Sequence, residues 1–543
     1  MSVPAPRGLR GAAFLFGLLA LIPILAVTVA ALFGDFDTVR KLADTVLWRY
    51  TWTTLVLVIL VAAGSAIIGT GTAWLVTMTE FRGRKWLEIA LALPFAFPAY
   101  VLAYAYTDVL DHPGVVQTTL REITGWGPRD YWFPEIRSLG GAALMLTLVL
   151  YPYVYLLARA AFLQQSATSY LAARSLGRTA WGAFMTTSLP LARPAIVGGV
   201  LLAVMETIAD FGTVSFFAVQ TFATGIYRSW ISFADRGAAA QLALCLLAFA
   251  LFIALLERIQ RGRARQENSA RRQEVLSRVQ LTGGNARWAG IACMVPVLLG
   301  FVLPVIILAS MAMRSEQNLF SVRYLLFLQN SLTFASAAAV VTVIGAVLIA
   351  VSHRMAPSRL TSLTGHVARV GYAVPGGVIA VGLMVPFAAL DNAIDAFAEA
   401  RFGLDTGLLF TGSIWLLVAA YTIRFLAAAL NGYEAGLTQL PRNLDNAART
   451  LGARPASLLG RLYIPALLPF LGTSLLIVFV DVMKELPATL IMRPFNMDTL
   501  AIQAHRLAAD ERLEGAAVPS LVLVGIGLLP VILLCRSMGR RRS

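Results

Sequence analysis

Charge is scarce in this sequence, and the shortage excludes most soluble architectures. Of 543 residues, 13% are charged and 58% are hydrophobic, and the mean hydropathy is +0.73. A soluble domain needs a charged surface, so this composition places the chain in a lipid bilayer. Lysine occurs only at Lys41, Lys85 and Lys484, and no Gly-x-x-x-x-Gly-Lys-Ser/Thr motif is present. The phosphate-binding loop of an ATPase is therefore missing from this chain.

Cysteine and histidine are also scarce, which leaves little room for metal or redox chemistry. Cys245, Cys293 and Cys535 lie within hydrophobic segments or at their ends without a motif spacing, which argues against disulfide and zinc frameworks. The four histidines are scattered, at His112, His353, His366 and His505. Because no metal cluster or nucleophile elbow is found in the sequence, we predict no catalytic residues and no tight metal site.

Hydrophobic segments long enough to cross a bilayer are abundant. A spanning helix needs roughly 20 apolar residues. Twelve candidates are found, at Gly11–Phe33, Trp52–Met78, Trp86–Tyr106, Leu139–Phe162, Ala195–Val219, Gly237–Leu256, Trp288–Met313, Ser331–Val351, Val370–Leu390, Leu408–Leu430, Ala466–Met492 and Ala516–Leu534. The first is too long for a cleaved signal peptide, so we expect it to be retained. The predicted fold class is an all-α polytopic membrane protein with twelve transmembrane helices.

The net charge of +15 has a distribution that orients the protein. If the N-terminus is placed in the cytoplasm, the arginines concentrate in the segments on that side and the acidic residues in the loops on the other. That bias is the one expected from the positive-inside rule. We therefore expect a multi-pass protein with both termini cytoplasmic and no nucleic-acid partner.

One unit of sequence is used twice. Tyr170–Gly177 is echoed by Asp445–Gly452, and a proline stands thirteen residues after each glycine. The same offset of 275 residues pairs Glu206 with Asp481 and Asp210 with Glu485. We predict a first half at residues 1–257, a basic cytoplasmic linker at 258–287 and a second half at 288–543. With six spans in each half, the two copies are parallel in the membrane rather than inverted.

Each half carries a distinctive loop between its fourth and fifth spans, at about 163–194 and 431–465. In the first loop the Ala172-Ala173 pair favours a short helix, and Gly177 is suited to end it as a left-handed C-cap. Pro190 suits the first turn of the next span, where a missing N–H costs little. The same features recur in the second loop. An ordinary helix–turn–helix connection explains one such loop, but two at matching spacing favour a shared function.

The two loops resemble the EAA loop of bacterial binding-protein-dependent ABC importers: Glu-Ala-Ala, three residues, Gly, nine residues, then Ile-x-Leu-Pro. The opening Glu is replaced here by Leu171 and Asn446. The segments that we assign to the loops include Ala172, Ala173, Gly177, Leu189 and Pro190 in the first half and Ala447, Ala448, Gly452, Ile464 and Pro465 in the second. The resemblance implies a type I importer permease in the bacterial cytoplasmic (inner) membrane. It also implies two copies of a separate ABC ATPase subunit that bind ATP and Mg²⁺, a soluble substrate-binding protein, and no cofactor on this chain.

Ionisable residues inside the predicted spans need a reason, since each costs at least about 2.5 kcal/mol at mid-depth. Four carboxylates and a lysine are candidates for the translocation path: Glu206, Asp210, Asp481, Lys484 and Glu485. Within each half the two acids are four residues apart and share a helix face. Two interpretations stay open: the acids line a cation path, or Lys484 pairs with one of them and the others form hydrogen bonds between helices. Pro487 is expected to break the eleventh helix.

The segments Ala209–Trp230 and Lys484–Leu500 resemble corresponding stretches of ferric-iron permeases. The resemblance implies Fe³⁺ as cargo, and permeases for thiamine or aminoethylphosphonate, which share the architecture, remain alternatives. Fe³⁺ is a hard ion suited to carboxylate and phenolate oxygen. An ion-coupled secondary transporter explains the topology and the buried acids, but it does not explain the paired loops. The outside loops Asp108–Arg137 and Arg493–Glu514 are either a docking surface for a binding protein or plain connections.

Overall fold

The chain is helical along almost all of its described length. The computed structural model describes residues 7–33, 40–165, 173–267, 278–317, 321–450 and 455–540. Long helices are Arg7–Leu32, Trp48–Met78, Leu139–Gln164, Leu189–Ala209, Arg236–Glu267, Gly283–Val297, Leu303–Arg314, Val322–Met355, Gly376–Phe402, Ile414–Leu437, Leu468–Met483 and Leu513–Arg540. Shorter α-helices are Arg84–Ala90, Ala99–Leu110, Val115–Thr124, Ala180–Ala183, Gly212–Phe216, Phe222–Tyr227, Arg359–Val370, Arg442–Thr450, Pro455–Leu458, Ile464–Ala466, Pro487–Met492 and Leu500–Ala509.

Tighter or wider turns connect several of these helices. Turns of 3-10 helix lie at Leu93–Ala96 and Gly371–Ala373, and π-helical turns lie at Ala43–Leu47, Phe184–Ser188, Arg228–Ser232, Leu298–Val302 and Leu459–Tyr463. The strands in the described part of the chain are two short ones, Thr79–Glu80 and Val279–Gln280, and they pair in parallel. A lipid environment explains this bias, because a helix satisfies its backbone hydrogen bonds internally.

Ten of the described helices are long and apolar enough to cross a membrane, and the number rises to twelve if each of two bent helix pairs is one span. Large apolar side chains such as Leu15, Ile67 and Trp415 are exposed on these helices. Such exposure is unfavourable in water but suits contact with lipid tails. The predicted fold class, an all-α polytopic membrane protein, is therefore confirmed.

Two of the twelve predicted spans are bent or broken, and three are displaced along the chain. The ninth, predicted at Val370–Leu390, is the helix Gly376–Phe402, and the tenth, predicted at Leu408–Leu430, is the helix Ile414–Leu437. The third bends by 93° where Pro98 follows the extended residue Phe97, since proline disfavours a helical conformation in the residue before it. The eleventh ends at Met483, and a new helix starts at Pro487, as predicted. The fifth was predicted at Ala195–Val219, but its helix is Leu189–Ala209 and stops where Asp210 becomes extended.

The sequence duplication is visible in the helix boundaries. Adding 275 to Leu139, Leu189 and Gly212 gives Ile414, Ile464 and Pro487, and each of these residues begins a helix. The π-helical turn Phe184–Ser188 maps onto Leu459–Tyr463 in the same way. The two halves of the sequence therefore start these helices and this turn at equivalent positions.

The chain folds into two compact units that do not follow the two sequence halves. Unit 1 contains Met1–Trp48, Phe222–Leu251 and Asn318–Gln503. Unit 2 contains Arg49–Thr221, Phe252–Gln317 and Ala504–Ser543. Each unit thus combines four consecutive spans of one half with flanking spans of the other.

Close helix packing in unit 2 depends on small residues. A Cβ atom on Gly199 would lie 2.7 Å from the Cα of Val154, and one on Gly69 would lie 2.8 Å from the backbone nitrogen of Tyr155. The backbone of the fourth span therefore packs directly against the backbones of the second and fifth spans, a close approach that small residues permit in membrane helices. The buried Tyr151 hydroxyl donates to the carbonyl oxygen of Leu91 at 2.9 Å. This packing fixes the helix ends from which the first loop leaves.

Candidate functional site

The first candidate site, called loop 1 (residues 163–194), is tied at its base. The Gln165 amide donates a buried hydrogen bond of 2.8 Å to the carbonyl oxygen of Ser188. Gly177 adopts φ +83°, and the next residue, Arg178, donates its N–H to the carbonyl of Ala173 at 3.2 Å. This is the left-handed helix C-cap that the sequence predicts. Ala172 lies outside the described residues.

Loop 1 presents apolar side chains together with arginines. Leu176 is 84% exposed and Trp181 is 58% exposed, and Arg174 and Arg178 beside them are exposed as well. The Trp181 ring still contacts Phe184, with 5.3 Å between ring centroids. An exposed apolar surface rimmed by charge is typical of a protein interface. Leu189 and Pro190, the remaining predicted residues, begin the fifth span.

The second candidate site is loop 2 (residues 431–465). The helix Arg442–Thr450 carries Ala447, which is exposed, and Ala448, which is half-buried. Gly452 lies outside the described residues. Ile464 and Pro465 begin a short helix just before the eleventh span, at the positions where Leu189 and Pro190 begin the fifth span itself.

Loop 2 is held by Arg354, a residue that the sequence analysis missed. Its guanidinium pairs with the Asp445 carboxylate at 2.8 Å and donates to the carbonyl oxygens of Leu440, at 2.9 Å, and Leu437. It also lies 5.5 Å from the ring centroid of the buried Tyr463. One arginine at the end of the eighth span thus contacts the end of the tenth span, the loop helix and the turn that starts the eleventh. We call this group the Arg354 node.

Unit 2 uses a different network where its short helix Arg84–Ala90 follows the second span. Arg84 is 1% exposed, pairs with Glu88 and Glu80 at 3.1 Å each, and donates to the carbonyl of Val76 at 2.8 Å. Arg159 from the fourth span pairs with the same Glu88. Buried charges of this kind are stable only when paired and hydrogen-bonded. Arginine side chains therefore fix the ends of spans in both units, but the groups that these arginines contact differ between the units.

The intramembrane acids of the second half are neutralised by neighbours. Lys484 pairs with Asp481 at 2.9 Å, and Arg424 pairs with the buried Glu485 at 3.1 Å. Glu485 also accepts hydrogen bonds from the backbone N–H groups of Ala488 and Thr489, which start the next helix. The predicted pairing of Lys484 is thus present. Arg424, an isolated arginine in an apolar run, was a signal that sequence reasoning passed over.

The acids of the first half lie in unit 2 and have different surroundings. Asp210 accepts from the backbone N–H groups of Thr213 and Val214, at 3.1 and 3.2 Å, and from the Thr213 hydroxyl at 3.1 Å. Glu206 is half-buried one helical turn earlier. Asp210 therefore caps the short helix after the break, at the position where Glu485 does so in the other half.

The first outside loop is tied to the start of the last span. Arg137 donates to both carboxylate oxygens of Glu511, at 2.6 and 2.7 Å, and pairs with Asp111 at 3.0 Å. The hydrogen bonds from Arg137 lower the pKa of the Glu511 carboxyl below its usual range. These contacts join the first outside loop to the residues just before the helix Leu513–Arg540.

Comparison with known proteins places this architecture among transport permeases. Residues 65–266 match the family described as binding-protein-dependent transport system inner membrane component. The chain is 26% identical over 491 residues to a Fe(3+)-transport system permease protein of Haemophilus influenzae, covering 89% of this chain and 88% of that protein.

Two shorter relatives match about a third of the chain. A sulfate transport system permease protein of Escherichia coli K12 is 28% identical over 201 residues, 36% of this chain and 65% of that protein. A molybdenum transport system permease protein of the same strain is 28% identical over 202 residues, 35% of this chain and 85% of that protein. The match to the iron-transport relative thus extends over both halves of this chain, whereas the sulfate and molybdenum relatives each match a stretch shorter than one half.

Proposed function

The chain is an ABC importer permease of the binding-protein-dependent type, a multi-span translocation subunit of the inner membrane, and from that premise we propose that its cargo is ferric iron. The observation that carries this proposal is the likeness over 89% of the chain to a permease named for Fe(3+) transport. The relatives named for sulfate and molybdenum match 36% and 35% of it.

The interior chemistry supports a cation over an oxyanion. Asp210 and Glu206 place carboxylates in or beside the fifth span, and the contacts of Asp210 in the described part of the chain are with neutral groups. A carboxylate without a cationic neighbour attracts a cation and repels sulfate or molybdate. Thiamine, which is also cationic, and aminoethylphosphonate are the second candidates.

Two partner proteins follow from the proposal. Loops 1 and 2 each receive one copy of a separate ABC ATPase subunit, which binds ATP and Mg²⁺. The exposed Leu176 and Trp181 support this role for loop 1. A soluble binding protein delivers the cargo on the opposite side. Both termini then lie in the cytoplasm, in agreement with the arginine-rich segment 258–287.

The mechanism is alternating access. ATP closes the two ATPase subunits, and the loops transmit that movement to the spans. In unit 1 the Arg354 node supplies the mechanical connection, because the loop helix is paired through Asp445 to the end of the eighth span. The fifth and eleventh spans are interrupted after Ala209 and Met483.

The cargo is tested by reconstituting the chain with its ATPase and binding protein in liposomes. We expect ATP-dependent uptake of Fe³⁺ that excess unlabelled Fe³⁺ abolishes and excess thiamine, sulfate or molybdate does not. Uptake of thiamine or an oxyanion without Fe³⁺ uptake would refute the iron assignment. Uptake driven by an ion gradient without ATP would instead support a secondary transporter.

A further inference from the structure

We infer that loop 1 is connected to the spans of unit 2 through a cluster of four aromatic rings, with Phe184 at its centre and Trp74, Phe162 and Trp181 around it. This inference rests on the proposed role of loop 1 as the site of an ATPase subunit, and it names the positioning residues of that site. The supporting observation is that the Phe184 ring contacts one ring from the loop and one from each of two spans.

Phe184 lies where the loop passes into the membrane. It is 4% exposed and begins the π-helical turn that leads into the fifth span. Its ring centroid is 4.8 Å from that of Trp74 in the second span and 6.1 Å from that of Phe162 in the fourth. It is 5.3 Å from that of Trp181, in the loop helix Ala180–Ala183. Centroid separations of about 4.5–7 Å are those of interacting aromatic pairs. Phe184 therefore joins loop 1 to three spans.

Trp181 belongs both to this cluster and to the exposed surface of the loop. Its ring lies edge-on to that of Trp74, with 6.1 Å between centroids and 79° between planes. The residue is nevertheless 58% exposed. A partner that contacts the exposed part of Trp181 therefore also displaces the rings behind it. Trp181 is thus the outer member of the connection and Phe184 the inner one.

The inner rings are part of a larger packed core. Phe162 is fully buried, and Phe184 packs in the same core as small residues of the second, fourth, fifth and seventh spans. These residues are Ala73, Ala158, Ala192 and Cys293. Protein interiors are close-packed, so a shift of one buried side chain is transmitted to its neighbours. A displacement of Phe184 therefore reaches the helices of unit 2 and not only the adjacent turn.

The second half connects its loop by different chemistry. The positions that the 275-residue offset relates to the four rings hold aliphatic residues: Ile349, Leu437, Ala456 and Leu459. Conversely, the ion pair between Arg354 and Asp445 holds loop 2, and the equivalent positions in the first half are Thr79 and Tyr170, which carry no formal charge. At these positions the duplication therefore supplies rings for loop 1 and an ion pair for loop 2.

The test gives the first half the residues of the second, as Phe184→Leu, Trp74→Ile and the double variant, in the complex reconstituted with its ATPase and binding protein. These changes leave the exposed residues of loop 1 in place. Three quantities are measured: ATPase activity stimulated by the loaded binding protein, uptake of Fe³⁺ (or of thiamine, if the unsubstituted complex takes up that cargo instead), and cross-linking of Leu176→Cys to the ATPase subunit in a variant without the native cysteines.

We expect each single variant to lower stimulated ATPase activity and uptake about fivefold, while cross-linking is retained, because the loop still binds the ATPase but no longer moves the spans. The double variant should lose no more than the weaker of the two singles, since both changes interrupt one connection. Trp74→Phe, which keeps a ring at this position, should retain most of the activity.

The matched control is Phe301→Leu, the same change in another ring pair of unit 2, where Phe301 lies 5.8 Å from Phe97 between ring centroids. It should leave stimulated ATPase activity within about twofold of the unsubstituted protein. Unchanged activity in Phe184→Leu and Trp74→Ile would overturn the inference. So would equal losses of cross-linking, ATPase activity and folded protein, which indicate a purely structural role. If Leu176→Cys fails to cross-link without any ring substitution, the proposed role of loop 1 is itself wrong, and the inference falls with it.

Discussion

At the scale of single residues, the chain depends on a few charged side chains that join distant segments. Arg354 contacts Asp445, which lies 91 positions away, and Arg424 contacts Glu485 across 61 positions. Sequence reasoning accounted for basic residues through the positive-inside rule and therefore assigned Arg354 no partner. The pairing of Lys484 with Asp481 was predictable in kind because the two are only one helical turn apart.

Arg354→Gln should destabilise unit 1 and weaken coupling between ATP hydrolysis and transport. The Arg354 and Asp445 side chains are 11% and 10% exposed, and removal of one partner from a largely buried pair costs about 3 kcal/mol. We expect a lower melting temperature and ATPase activity that no longer responds to loaded binding protein. Thermal unfolding in detergent and ATPase assays measure the two effects.

Arg369→Gln is the matched control for this variant. Arg369 pairs with Glu434 in the same unit at 2.5 Å, but about a third of each side chain is exposed. An exposed pair contributes less than about 1 kcal/mol, so coupling should be preserved. If Arg369→Gln and Arg354→Gln had equal effects, the special role of the Arg354 node would be wrong.

At the scale of elements, hydropathy predicted which segments form spans but not where they break. Most residues from Gly212 to Val219 are apolar, so the predicted fifth span ran through the break at Asp210. The break depends on the Asp210 side chain accepting hydrogen bonds from the next helix, a contact that a hydropathy average cannot register. The break before Pro487 was predictable because proline itself lacks an N–H.

The glycine cap of loop 1 was predictable because its signal is local. Gly177 has the positive φ that its place in the motif requires, and an added Cβ would meet no atom within 4 Å. Substitution there therefore acts through backbone strain and not through a clash.

Gly177→Pro should abolish coupling, because proline fixes φ near −65° and cannot adopt +83°. Gly177→Asn, which tolerates the left-handed region, should retain most of the activity. We expect loss of transport and of stimulated ATPase activity in the proline variant at normal amounts of membrane protein. Transport rates and immunoblots of membrane fractions provide the measurement. Full activity in Gly177→Pro would argue against a coupling role for loop 1.

At the scale of the whole molecule, the sequence predicted the duplication but not the composition of the compact units. Each unit takes flanking spans from the other half, and no periodicity in the sequence encodes such long-range packing. One local sign of this packing between the halves is Gly382, because an added Cβ there would lie 2.6 Å from the Cα of Pro23 in the first span. The two sequence halves keep acids at equivalent positions with different neighbours, as Asp210 and Glu485 show.

Cysteine cross-linking can determine whether an ATPase subunit binds at loops 1 and 2. Cysteines are placed at Leu176 and Ala447, both exposed, and at the 86% exposed Trp132 as a control, in a variant without the native cysteines. We expect the cysteines at Leu176 and Ala447 to cross-link to the ATPase subunit and Trp132→Cys not to do so. Cross-linking through Trp132→Cys, with none from either loop, would contradict it.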